Sequence, residues 1–302
     1  MRRKGKPNAV VKTTSRAADA PDFPFVFTQR ANYKLGMSLA NRIWESARML
    51  MLRRIFPVWW KWGRSRPAPW SREERLTVVL LSYGRPHNMA AITAACVACP
   101  FIHRIVLSNH NPAIDIRRFV RTSDPRVEII AQPARCYPSK RYSLARETGD
   151  RWVLCIDDDT FLSPRQIRAL FEALLLDSSV PHGIAGENFR PGGSPAEYVF
   201  GSPETPETVD CLVWAYAFTR EHVARYFELL ELLGIDNEGL QANEDIVLSL
   251  SGRGRPLVHN FGTLHLCDSR EAEHVATSKQ PGFREQREEL LRKLVALGAP
   301  RA

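Results

Sequence analysis

Nowhere in the 302 residues do about 18 uncharged apolar residues run together, the length a membrane-spanning helix needs, so no such helix is expected. The basic opening MRRKGK is followed by polar residues where a secretory leader carries its apolar core, so no leader is expected either. Cys96 and Cys99 form a CxxC with no second pair at zinc spacing, and the apolar neighbours at 91–97 suit a turn of helix facing a core. The six cysteines lie mostly in apolar or strand-like sequence, which suits reduced, buried thiols in the cytoplasm. Glycine is scarce after the first apolar run: Tyr83-Gly84-Arg85-Pro86 has one, where a phosphate-cradling loop has several, which counts against a nucleotidyltransferase. Positive charge is scarce over most of the chain. Residues 1–75 hold 17 Lys and Arg against 5 Asp and Glu, whereas the remainder holds 25 against 28, a balance of −3. The high pI therefore describes an N-terminal arm, and nucleic acid is not expected as a partner.

What the chain does have is VLCIDDDTF at 153–161. Val153, Leu154, Cys155 and Ile156 read as a fully buried strand, and Asp157, Asp158 and Asp159 follow at once. Three carboxylates so close repel one another unless a cation or hydrogen-bond donors offset the repulsion. Oxygen-only ligands suit a hard ion, Mn²⁺ or Mg²⁺. The plainer reading is a cap for the helix announced by Ser163-Pro164 and the spacing of Ile167, Leu170, Phe171 and Leu174.

Residues 1–36 show no period and read as a flexible arm. From Ser38 the apolar residues Leu39, Ile43, Ala47, Leu50 and Met51 recur at helical spacing, with a break expected at Pro57. Trp59, Trp60 and Trp62 then mix with Lys61, Arg64 and Arg66. Residues 38–66 could lie on an anionic membrane surface, peripheral on its inner face, or pack on the main body with a solvated basic face. Beyond a linker at 67–71, strands are expected at 76–82, 103–108, 127–131 and 153–156, with helices at 88–98 and 163–176. That order implies an α/β fold, a Rossmann-like and mostly parallel central sheet flanked by helices, with ligands beyond the carboxyl ends of its strands. Arg85, Asn109 and the aspartates all fall there. Further strands are expected at 182–186, 197–200 and 256–259, with an apolar segment at 209–218. Helices are expected at 220–233, at the start set by Asn243-Glu244-Asp245, and at 283–297. The division expected is 1–75 for the arm and helix, 76–270 for the main domain and 271–302 for a C-terminal helix.

A nucleotide sugar fits these charges. A divalent ion on an Asp-X-Asp arrangement bridges the two phosphates and acts as Lewis acid for the departing nucleoside diphosphate, with Arg85, Arg135 and Lys140 supplying further positive charge. At this point the chain resembles the exostosin-like glycosyltransferases of the nucleotide-diphospho-sugar transferase (GT-A) fold, over about 76–260. The pieces that carry the likeness are VVLLSYGRP, VLSNHNP, ARCYP, VLCIDDDT and NEDIVLSL, in that order. VDCLVWAYAFTREHVARYF is similar to the family's segment near the acceptor. The resemblance implies that Asp159 coordinates the metal with help from Asp157, and that Asp157 and Asp158 hold the ribose or complete the metal shell. It implies that Asp245, with Glu244, faces sugar and acceptor, and that Tyr83, Arg85, Asn109 and Arg135 surround the nucleotide. By analogy with other GT-A enzymes His265 is a further candidate metal ligand. The implied activity is transfer from a UDP-sugar, with retention, to a surface glycan or lipid-linked acceptor. Two departures stand out: Ala134-Arg135-Cys136-Tyr137 where the family has Asn-Arg-Phe before its Pro, and Asn243 where it has Cys. A non-catalytic glycan-binding protein of the same fold is the alternative outside enzymes.

Overall fold

The computed structural model describes residues 39–62, 69–120, 122–189, 197–267 and 281–300. The expected arm at 1–36 and the side chains of Trp59, Lys61, Trp62, Arg64 and Arg66 lie outside the described residues.

The chain enters on α1 (Leu39–Leu50), which passes through a π-helical turn (Met51–Ile55) into α2 (Phe56–Trp62). The break expected at Pro57 does not occur. A π turn widens the helix just where the proline ring would collide with the preceding turn, and Pro57 then occupies the first turn of α2, where its missing N–H costs least. Met49, Leu52, Phe56 and Trp60 are all 5% exposed or less and share one core with Leu76, Val78 and Leu80. The run therefore packs on the main body. Arg48, fully buried, donates to the Leu266 carbonyl at 2.7 Å, and Arg53 donates to the Asn88 side chain at 2.8 Å.

The body opens β1 (Leu76–Ser82), α3 (Met89–Val97), β2 (Ile102–Asn109), β3 (Val127–Ala131), α4 (Lys140–Thr148) and β4 (Trp152–Ile156). It continues β5 (Thr160–Phe161), α5 (Pro164–Leu176), β6 (His182–Gly183), β7 (Gly186–Asn188), β8 (Glu197–Val199), β9 (Glu207–Thr208), β10 (Cys211–Leu212) and β11 (Ala215–Thr219). Last come α6 (Arg220–Leu233), α7 (Glu244–Ser249), β12 (Leu257–Val258), β13 (His265–Leu266) and α8 (Phe283–Ala296). Among the described residues the central sheet runs β3-β2-β1-β4-β11-β6-β12-β9, with four parallel and three antiparallel neighbours. The α/β reading with a mostly parallel central sheet holds.

Side chains alternate across this sheet, as strand geometry requires. Val78, Leu80, Leu154 and Ile156 face a core shared with α3, α5 and the N-terminal helices, whereas Val79, Val153 and Cys155 face one shared with α4, α6, α7 and α8. Cys96 and Cys99 are fully buried in the first core, and all six thiols are free. The helices start where local chemistry sets them: Ser163 with Gln166 and Thr219 with His222 each close a reciprocal cap at the head of α5 and α6. Parallel register brings Ser82 opposite Asn109 and Leu80 opposite Ile156, so Tyr83, His110 and Asp157 leave the sheet at one edge. The strand expected at 182–186 is divided between β6 and β7, and the apolar segment at 209–218 between β10 and β11, because the chain leaves the central sheet there to build a second sheet, β10-β7-β8.

Five histidines are held below the ordinary value by burial, with His110, His259 and His265 pushed down to about 4. His182 Nε2 donates to the Asp177 carbonyl at 2.6 Å, so its Nδ1 accepts from His259 Nε2 at 2.8 Å. An unfolded chain protonates such residues near pH 6.5 while the fold keeps them neutral, so their stabilisation is present above pH 6.5 and is lost as pH falls towards 4. Buried carboxyls with raised values act in the opposite direction, and a single substitution isolates the histidine effect. His259→Gln should lower proton uptake on unfolding by about one at pH 5. Urea midpoints between pH 4.5 and 7 measure this, and an unchanged slope would contradict it.

Candidate active site

The edge where the strands end opens into a cleft of about 320 Å³. Arg85 is fixed first. It follows β1, is 8% exposed, and places Nη1 2.8 Å from Asp158 Oδ1 and 3.6 Å from Asp159 Oδ2. The Asp158 carbonyl accepts from Asn88 Nδ2 at 2.7 Å, which pins the turn. Asp159 also accepts from the Thr160 hydroxyl at 3.2 Å, and the Cys267 N–H donates to its carbonyl at 2.7 Å. Burial raises the Asp159 carboxyl to about 7 despite Arg85, with Asp157 and Asp158 adding to the rise. This is the least compensated of the three aspartates.

Asp157 is paired from below. Arg141, on the first turn of α4, donates from Nη1 to Asp157 Oδ1 at 2.8 Å and to the Tyr216 hydroxyl at 3.2 Å. Its Nη2 lies 3.8 Å from Glu244 Oε1. Glu244, at the start of α7, is raised to about 7 by burial, against the pull of Arg141. Next to it Asp245 is gripped from the other end of the chain. Arg287, on the first turns of α8 and 4% exposed, reaches both Asp245 oxygens from Nη1 at 2.9 and 3.0 Å. Its Nη2 donates to Glu187 at 2.9 Å and to Cys211 Sγ at 3.1 Å. Cys211, Glu187 and Tyr198 are direct cross-strand partners in the small sheet, so one row of side chains seats this guanidinium.

Of the residues expected in a site, Tyr83, Arg85, Arg135, Asp157, Asp158, Asp159, Glu244 and Asp245 all line the cleft. The Arg135 guanidinium lies 4.7 Å from the centre of the Tyr83 ring. Three others fall outside the lining. Asn109 spends its amide on the Asn111 and Ile114 carbonyls and so shapes the loop after β2. Lys140 is half-buried at the head of α4. His265 sits on β13 with its ring edge-on to Phe56 at 5.5 Å. Sequence reasoning passed over Arg141, Arg287 and Glu187. Arg141 lies one residue from the cation it did select, and α4 turns position 141 inward. For Arg287 the only local signal is a cation on the apolar side of a charged helix.

No protein-family model matches the chain, and no curated protein matches it. Among solved structures it is similar to S. aureus TarS in complex with UDP-GlcNAc, at 14% identity over 76% of this chain and 68% of that one, TM-score 0.49. It is similar also to the mannosyltransferase PcManGT from Pyrobaculum calidifontis in complex with GDP-Man and Mn²⁺, at 14% identity over 87% and 76%, TM-score 0.48. GalNAc-T7 with UDP, GalNAc and Mn²⁺ is 11% identical over 74% of this chain and 52% of that one, TM-score 0.48. Likenesses this distant leave the chemistry to the side chains of this chain.

Removing the Arg287 fork strands two acidic groups in a nearly closed seat. Arg287→Ala should cost about 3–5 kcal/mol of stability, the range for breaking a buried ion pair from one side. Arg287→Lys, which keeps the charge but not the fork, should fall between that and the parent in urea denaturation. A midpoint for Arg287→Ala equal to the parent's would show that the clamp does not hold α8.

Proposed function

We propose that the chain is a metal-dependent glycosyltransferase that moves a sugar from a nucleotide-diphosphate sugar, a UDP-sugar by resemblance, to a glycan or lipid-linked acceptor with retention. The charge of the cleft carries this reading. Among the described residues six carboxylates and four guanidiniums line it, a formal balance of −2. A divalent cation that enters with a diphosphate would offset this excess of acid.

The residues present fit such an ion. Asp159 is the under-compensated carboxylate, with Asp157 beside it and oxygen as the donor atom. Among the described residues no three acidic, histidine or cysteine side chains converge as a preformed metal cage. Mn²⁺ or Mg²⁺ would be held by one or two of these carboxylates and completed by substrate phosphates and water. When bound, the ion supplies Lewis-acid stabilisation of the departing nucleoside diphosphate. Tyr83 and Arg135 offer a stacked face and a charge to the base and phosphates. Arg85 holds Asp158 and faces Asp159, which keeps the aspartate turn in place. Asp245 has both oxygens engaged by Arg287, which makes it a poor base for the acceptor hydroxyl. This favours retention. The test is calorimetry with UDP, GDP and their sugars, with and without Mn²⁺. UDP binding should depend on Mn²⁺, and Asp159→Asn should weaken it at least tenfold while circular dichroism stays unchanged. UDP bound equally well without metal, or no nucleotide bound at all, would refute the proposal.

The N-terminal helices support a second reading, attachment to an anionic membrane surface. Their inward face is core, yet Ile43, Leu50, Ile55 and Val58 are 63%, 59%, 40% and 55% exposed on the outward side. The arm they belong to carries the excess of Lys and Arg. Among the described residues no helix is long and apolar enough to cross a membrane, so contact would be along the surface. Because the inward residues are core, the test substitutes outward ones. Leu50→Asp with Val58→Asp should reduce binding to phosphatidylserine-containing vesicles at least tenfold, and salt should weaken binding by the parent. Equal binding by both proteins removes this reading.

A further inference from the structure

Two arginines of the N-terminal helical run reach the supports of the aspartate turn. Arg53 Nε donates to Asn88 Oδ1 at 2.8 Å, and Asn88 Nδ2 donates to the Asp158 carbonyl at 2.7 Å. Arg48 Nη2 donates to the Leu266 carbonyl at 2.7 Å, and the next residue, Cys267, donates its N–H to the Asp159 carbonyl at 2.7 Å. Arg53 Nη2 also lies 3.8 Å from Cys267 Sγ, so one guanidinium touches both supports. Two successive carbonyls of the turn are thereby held by residues that do not line the cleft.

Asn88 decides what Arg53 does. It is fully buried, and its amide oxygen and nitrogen occupy nearly the same volume. A guanidinium only donates and a carbonyl only accepts, so a single orientation serves both neighbours, with Oδ1 to Arg53 and Nδ2 to Asp158. Arg53 sets the amide, the amide sets the Asp158 carbonyl, and that planar peptide sets the direction in which Asp159 leaves the chain. The charge on the donor strengthens the first of these bonds. The Asn88 N–H donates in turn to the Arg85 carbonyl at 3.0 Å, which ties the same residue to the arginine that faces Asp158 and Asp159.

The π turn gives Arg53 its place. The Phe56 N–H reaches back five residues to the Met51 carbonyl, so this turn holds one more residue than an α turn does. Leu52 and Phe56 stay in the core at 0% and 5% exposed, and Arg53 between them is turned to Asn88. Insertions of this kind are frequent at functional sites.

Resting on the glycosyl-transfer reading, we propose that Arg53 is a positioning residue for the divalent cation: through Asn88 it fixes the aspartate turn so that the Asp159 carboxylate is aimed for metal. Arg53 itself touches neither metal nor substrate. Groups that orient a metal ligand from behind govern metal affinity by about 10–100-fold. The N-terminal helices thus belong to the transfer machinery as well as to the core.

Mn²⁺ binding at saturating UDP, read by electron paramagnetic resonance, tests this. Arg53→Met should raise the Mn²⁺ dissociation constant about tenfold, and Arg53→Lys, which keeps the charge and a donor, should recover about threefold of that loss. Arg54→Met removes the same charge from the exposed neighbouring position and should stay within about twofold of the parent. In an Asn88→Ala background, Arg53→Met should add less than about twofold, because the amide that carries its effect is gone. In the metal-free protein, hydrogen exchange over 156–161 should quicken in Arg53→Met and not in Arg54→Met. If Arg53→Met lowers only the urea midpoint and leaves Mn²⁺ affinity and exchange as in the parent, the residue merely packs, and the proposal is overturned while the transfer reading stands. Equal losses in Arg53→Met and Arg54→Met, or full additivity with Asn88→Ala, overturn it as well. A parent that binds no Mn²⁺ with UDP removes the transfer reading and this proposal with it.

Discussion

Arg141 lies 2.8 Å from Asp157 and 3.8 Å from Glu244, and both sides of the cleft lean on it. A buried guanidinium with a carboxylate on either hand holds together two loops that would otherwise repel. Arg287 repeats the device between Asp245 and Glu187, and Arg85 repeats it at the aspartate turn. The fold keeps six carboxylates in one cleft because these cations are placed at fixed forks, each with more than one partner. Breaking any of them leaves acidic groups with little water to screen them. The aspartate that escapes full compensation, Asp159, faces the open cleft.

The same pairing sets the architecture of the chain ends. Helix α8 is separated in sequence from the sheet residue it grips, Glu187, by 100 positions, and its arginine forms one wall of the cleft. At the other end, α1 and α2 complete the core over α3 and contact β13 through Arg48. The central sheet is thus enclosed by segments that look peripheral in sequence. The cleft lies between the sheet edge and α8, and its rim is built by the small sheet that the chain makes on leaving β6.

Several features were legible because they are local. The nearly continuous apolar runs at 76–82 and 153–156 report central strands, Ser163-Pro164 reports a helix start, and the acid run at the end of a buried strand reports a place of unbalanced charge. Six of the expected site residues gather in the cleft because they follow strand ends that parallel register brings together, while Glu244 and Asp245 reach it at the start of α7. Lys140 is half-buried outside it while Arg141 faces in, because the helical turn that decides between neighbours is a matter of packing. Pro57 carries a local stop signal, and the π turn before it absorbs the proline into a continuous helical run.

The sequence by itself determined most of the elements, their order and the edge of the sheet where the cleft opens, since periodicity, caps and turns act over a few residues. Only the tertiary structure decided which cation meets which carboxylate. It brought Arg287 to Asp245 and set Arg53 against Asn88. Those pairings join segments far apart in the chain, and their energies come from burial and geometry that no window of sequence contains.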